Sequence, residues 1–287
     1  MEGYQVRIGY QYEEKLRHSF NELAQKTFGI NFEEWYQKGC WKEQYVPYSI
    51  VIDNKVIANV SISHMDFIWD GSKRHLIQIG TVMTDEDYRG RGYSRILLEQ
   101  ILKEYKEKHG IYLFANNSVL EFYPKFGFQR AKEYQYVKGV EIQQEPTALK
   151  YEINGMEGAK QFLNEINKME DSSYIESKND ELLLFCFLSG MSENIYYISE
   201  LKTYAIAEIG GSELLLHAVY SDGPVSLEAV FQAFGSGITS VTLGFKPKFE
   251  DGFSIEQYHG EDTLFVMGKP WSDWNDHMKM FPTLSHA

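Results

Sequence analysis

The stretch that decides the reading is Val82–Leu102, VMTDEDYRGRGYSRILLEQIL. Three arginines and two glycines fall within the seven residues from Arg89 to Arg95. Before them runs HLIQIGTVMT, His75–Thr84, apolar on both faces in its middle as a central, helix-covered strand should be. After them Leu97, Leu98, Ile101, Leu102 and Tyr105 recur at helical spacing, with Glu99, Lys103, Glu104 and Lys106 on the other face. A basic, glycine-rich turn between a strand and a helix predicts a phosphate site. The first helical N–H groups lack partners, the helix dipole favours an anion, and glycine lets the backbone approach it closely.

Working outward, Leu16, Phe20, Leu23 and Phe28 predict one or two helices between Lys15 and Tyr36. A hairpin follows in YSIVIDNKVIANVSISHMDFIWDG, turning at Asp53–Lys55. Beyond the turn, Gly110–Asn116 (GIYLFAN) is a strand and SVLEFYPKF a short helix, opened by a Ser118–Glu121 capping box and ended by Pro124. Helices and strands in this order make an α/β layer architecture. A linker is expected near Gln143–Thr147, dividing the chain into 1–145 and 146–287. The second half repeats the rhythm of strand, turn, helix and strand in ELLLHAVYSDGPVSLEAVFQAFGSGITSVTLGFKP, with SDGPVS where the first half has the basic turn.

The totals narrow the function. With 287 residues, 43% of them hydrophobic and 24% charged, the chain can bury two cores. A net charge of −13 opposes binding to nucleic acid or an anionic membrane, so a local arginine cluster points to one small anionic ligand, and the overall field favours a cationic partner. Cys40 and Cys186 form no CxxC pattern and are expected as free thiols. No signal-peptide core or transmembrane run is recognised, and the expectation is a cytoplasmic protein. Asp273, Asp276 and His277 have no standard metal spacing, and no metal is expected.

The basic turn fits neither a dinucleotide fingerprint nor a Walker loop. It fits R-x-x-G-x-G/A, with Arg89, Gly92 and Ser94 at the three positions, serine standing where glycine or alanine is usual. With IGTVMT before it, the helix after it, and LFANNSVLEFYPKFGF downstream, most of residues 1–135 resembles the GNAT superfamily of acyl-CoA-dependent N-acetyltransferases. The resemblance implies a GNAT fold: a mixed, mostly antiparallel sheet flanked by helices, followed here by a smaller, degenerate GNAT-like α+β domain.

It implies an acetyl-CoA cosubstrate whose pantetheine arm meets the backbone of Val82, Met83 and Thr84. Its pyrophosphate would meet Arg89, Gly90, Arg91, Gly92, Tyr93, Ser94 and Arg95, and its far side Asn116, Asn117 and Ser118. Tyr123, in FYPKFGF, matches the tyrosine that protonates the departing thiolate. Gln78 lies on the strand where a base or water ligand often sits, while His75 reads as a strand-edge residue. Asn59, Ser61 and Ser63 alternate along the preceding strand and could face the acceptor.

The FYPKFGF form is also similar to acetyltransferases of the enhanced-intracellular-survival type, in which a C-terminal carboxylate takes part as base. That makes Ala287 a candidate, although this chain is shorter and is expected to lack the third, sterol-carrier-like domain. The implied function is direct acetyl transfer to a primary amine of a small molecule or peptide, with self-association left open. The alternative is a noncatalytic acyl-CoA sensor that contacts a protein partner.

Overall fold

The structure is a computed structural model describing residues 3–271, 274 and 278–287. Asp273, Asp276 and His277 lie outside the described residues. In the first half β1 (Gln5–Ile8), α1 (Glu14–Phe28) and α2 (Glu33–Gln37) precede a hairpin of β2 (Tyr45–Ile52) and β3 (Lys55–Trp69). Its turn forms where expected, Asp53 and Asn54 taking the left-handed conformation that a tight hairpin needs. Then come β4 (Ser72–Thr84), α3 (Tyr93–Tyr105), β5 (Gly110–Asn116), β6 (Gln129–Arg130) and β7 (Tyr134–Gly139). The second half contains β8 (Leu149–Lys150), α4 (Gly155–Ile166), β9 (Glu170–Asp171), β10 (Ile175–Ser177), α5 (Asp180–Leu188) and β11 (Ile195–Ile198). It continues through β12 (Thr203–Gly210), β13 (Glu213–Ser221), α6 (Leu227–Gln232), β14 (Ser240–Leu243), β15 (Ser254–Gln257) and β16 (Asp262–Met267).

The strands form two sheets of like design. The first runs β1-β2-β3-β4-β5-β16-β6 and the second β8-β11-β12-β13-β14-β7-β15. In each, antiparallel strands lead to a single parallel pair, β4 with β5 or β13 with β14, joined by a helical crossover. The next strand in each sheet comes from the other half of the chain. β16 pairs antiparallel with β5, and β7 pairs antiparallel with β14. The expected segments 1–145 and 146–287 therefore exchange one strand each, and β10 adds a further link by pairing with β3.

Two helical layers cover the first sheet. On one side Leu97, Leu98, Ile101 and Leu102 of α3 bury against Ile50, Ile62, Ile77 and Ile79. Full burial of each such side chain contributes roughly 1.5–3 kcal/mol. On the other side α1 buries Leu16, Phe20, Leu23 and Ala24 in a cluster that runs on to Phe162 and Phe187 of the second half, so the halves share a core.

One expectation fails in detail. SVLEFYPKF is two short 3-10 turns, Asn117–Val119 and Tyr123–Phe126, and no capping box forms. Ser118 Oγ and its N–H both donate to Asn116 Oδ1, while Glu121 pairs with Arg130 at 2.7 Å. An Asx-type turn directly after the strand takes the polar groups that the box would have used.

Candidate active site

The site begins with a defect in β4. Opposite β3, Asn59 pairs with Met83 but Ser61 pairs with Gly80, so β4 spends three steps where β3 spends two. This is a bulge. At its centre Thr81 has φ of 48°, a left-handed conformation that costs a β-branched residue roughly 1–3 kcal/mol. Side chains hold it there: Tyr45 donates to Thr81 Oγ1 at 2.7 Å, and Asn59 Nδ2 donates to the Thr81 carbonyl at 2.8 Å. Beyond the bulge β4 and β5 separate, their parallel pairing running only from Leu76–Gly110 to Ile79–Leu113.

The gap is a cleft of about 850 Å³ lined by Val82, Met83, Thr84, Arg89, Gly90, Ser94, Asn116, Ser118 and Tyr123, among others. Of the basic turn, Gly90 and Gly92 have φ of 76° and 81°, and Gly92 caps α3, whose N-terminus opens beside the cleft. Thr84 and Ser94 share a hydrogen bond at 2.8 Å, which ties that terminus to the strand. Arg89 donates to the Thr84 carbonyl. Arg91 lies over the Tyr88 ring and Arg95 over Phe126, each held by its own neighbours, and Tyr93 meets Tyr4 edge to face. The structure thus brings Arg89, Gly90 and Ser94 to the cleft wall, with Arg91, Gly92, Tyr93, Arg95 and Asn117 not among its lining residues.

Tyr123 is buried against Phe122, Phe128 and Phe265, and burial pushes its phenol up to about 12. It therefore keeps its proton at neutral pH.

The chain's last residue returns to the bulge. The Ala287 backbone oxygen accepts from Gln78 Nε2 at 3.3 Å, and Gln78 Oε1 accepts from Tyr112 at 3.1 Å. Gly80 leaves room for this contact, since a Cβ there would stand 2.8 Å from the Ala287 oxygen. His286 stacks on Phe114 with ring centroids 3.7 Å apart. Its buried Nε2 has no hydrogen-bond partner among the described residues, and burial lowers its pKa to about 4.

Ala287 and Thr81 also line a second pocket of about 200 Å³, walled by Phe32, Trp35, Tyr45, Phe185 and Glu181. Ser63 reaches that pocket, whereas Asn59 and Ser61 are occupied in a buried chain with Ser49 and Tyr10. His75 bonds to Asp66 and His64, the latter ring packing on Tyr105 of α3.

Thr81, Phe114 and Asp262, the last brought by β16, line the cleft, and His286 lines the second pocket, with no motif in the sequence marking any of them. Thr81 carries no local signal for its conformation. The other three depend on contacts between residues far apart in the chain.

Residues 11–128 match the model of the Acetyltransferase (GNAT) family. None of the curated proteins matches the chain. Among solved structures, the chain is similar to a probable N-acyltransferase of unknown function from Enterococcus faecalis V583, at 16% identity and a TM-score of 0.63, covering 93% of this chain and 72% of that one. It is also similar to Eis1 from Mycobacterium abscessus (12% identity, TM-score 0.55, 91% and 73% covered). A GCN5-related N-acetyltransferase from Kribbella flavida matches at 13% identity and TM-score 0.54, with 92% and 71% covered. These likenesses span both halves of the chain, so the fold is GNAT-like, and the match to the family model falls in the first half.

Proposed function

We propose that this chain is an acetyl-CoA-dependent N-acetyltransferase that passes the acetyl group directly to a primary amine. The observation that carries the reading is the bulged, splayed β4–β5 cleft, which has a helix N-terminus and Arg89 at one end and a protonated tyrosine on its wall. A cleft of about 850 Å³ lies within the range of small-molecule and cofactor sites. Val82, Met83 and Thr84 line its β4 side, where β4 no longer pairs with β5, and their backbone groups suit an amide-bearing arm. Gly90, Gly92, Ser94 and Arg89, supported by Arg91, Tyr93 and Arg95, suit the pyrophosphate, and Asn116, Asn117 and Ser118 the opposite edge.

Bound acetyl-CoA supplies a thioester acyl group. Tyr123 holds a proton at its hydroxyl for the sulfur as the carbon–sulfur bond breaks, which is general acid catalysis. The incoming amine nitrogen forms the amide bond and gives up a proton. A free carboxylate on Ala287, which lines both the cleft and the second pocket, would be the group to receive it. Gln78 is an amide and takes no proton at neutral pH. Its role is to hold the Ala287 oxygen, its own orientation fixed by Tyr112. The second half walls the acceptor side, and the absence of an arginine-rich turn there suits one donor site per chain.

The test is CoA thiol release from acetyl-CoA against a broad amine panel, alongside direct measurement of acetyl-CoA binding. Amine-dependent release supports the enzyme. Tight acetyl-CoA binding without release for any amine supports the sensor reading instead.

A further inference from the structure

The second pocket bears on which primary amine is the acceptor. It adjoins the cleft through Thr81 and Ala287, so it is where an amine approaching the thioester would place its body. Four rings form its wall as one locked cluster. Phe32 stacks on both Tyr45 and Phe185 at 5.3 Å, and Trp35 meets Phe185 and Tyr45 edge to face at 5.5 and 5.8 Å. Trp35 Nε1 donates to the Glu181 carbonyl at 3.1 Å, which fixes the α2 side of the wall to α5.

Size and polarity narrow the occupant. A volume of about 200 Å³ is close to that of the ~150 Å³ cavity that holds benzene, so one ring and a short arm fill it. An oligosaccharide amine is too large, and the strongly hydrated inner charges of a polyamine would be stripped of water against aromatic faces. The pocket has two features that suit a donor. The Ala287 backbone oxygen stands at the junction with the cleft, and Glu181 has a buried Oε2 that makes no hydrogen bond among the described residues, with the Lys42 ammonium 4.0 Å from its other oxygen.

We infer that the acceptor is an arylalkyl primary amine. Its ring lies among Phe32, Trp35, Tyr45 and Phe185, its amine at Ala287, and a ring hydroxyl or N–H, where present, donates to Glu181. This rests on the acetyl-transfer reading above and specifies the substrate class of the same site.

The experiment uses the full chain, with acetyl-CoA and three probe sets: phenethylamine and tyramine, spermidine and putrescine, and kanamycin. The expected kcat/KM is at least about tenfold higher for the arylalkylamines than for either other set, with tyramine above phenethylamine. Phe185→Ala should raise KM for phenethylamine about tenfold while acetyl-CoA affinity, measured separately, is retained and reports an intact fold. Glu181→Gln should narrow the gap between tyramine and phenethylamine. A preference for spermidine or kanamycin overturns this inference and leaves acetyl transfer standing, whereas no release with any amine removes the acetyl-transfer reading itself.

Discussion

Gln78 Nε2 lies 3.3 Å from the backbone oxygen of Ala287, a residue 209 positions later in the chain, and so links the centre of the first sheet to the last residue of the second half. The contact exists because position 80 is glycine and because the segment after β16 folds back across β5, with Phe281 stacked on Tyr112 at 4.4 Å and His286 on Phe114.

Gly80→Ala tests that contact at the cost of one methyl group. Its Cβ would sit 2.8 Å from the Ala287 oxygen, too close for any side chain, so the last residue must move. The expected result is a fall in kcat of about tenfold or more, acetyl-CoA affinity changing much less. Steady-state kinetics with a parallel cofactor titration measure both.

Tyr123→Phe keeps the ring packed against Phe128 and Phe265 and removes only the hydroxyl. If Tyr123 is the acid, kcat falls about 10²-fold or more while acetyl-CoA binding is nearly unchanged. Equal turnover in both proteins would remove Tyr123 from the mechanism.

Among the arginines the structure ranks the effects. Arg89 lines the cleft, whereas Arg91 and Arg95 pack over Tyr88 and Phe126. Arg89→Ala should weaken acetyl-CoA binding about tenfold, with smaller losses for Arg91→Ala and Arg95→Ala. Calorimetric titration at one fixed salt concentration gives the comparison.

His286 predicts an acid sensitivity. Its folded pKa of about 4 lies below the ordinary histidine value of 6.5, so its contribution to stability is complete above pH 6.5 and is lost as the pH falls toward 4, where the unfolded chain alone takes up the proton. The span corresponds to about 3 kcal/mol. Melting curves of wild type and His286→Phe from pH 7 to 4 should converge or cross as wild type loses more. The comparison cancels Glu133 and Asp171, whose buried carboxyls have raised pKa values and act in the opposite sense. A constant gap between the two proteins would contradict the account.

Local signals in the sequence were enough for the hairpin, β4, α3 and β5. Asp53–Lys55 is a turn by its own chemistry, α3 shows its buried stripe as a 3.6-residue period, and β5 is bounded where the apolar run ends. The capping box failed because Ser118 had a nearer acceptor in Asn116. The boundary at 145 could not show the strand exchange, since β16 and β7 pair with strands far away in sequence and nothing in either segment specifies its partner. The bulge at Thr81 was hidden for a similar reason. Its conformation is imposed by Tyr45 and Asn59, while the residue itself reads as ordinary strand.

Initial velocities of CoA release over a grid of acetyl-CoA and amine concentrations test direct transfer most directly. The account predicts release that depends on the amine, with reciprocal plots that intersect, as a ternary complex requires. Parallel lines, or release that proceeds equally without amine, would contradict it.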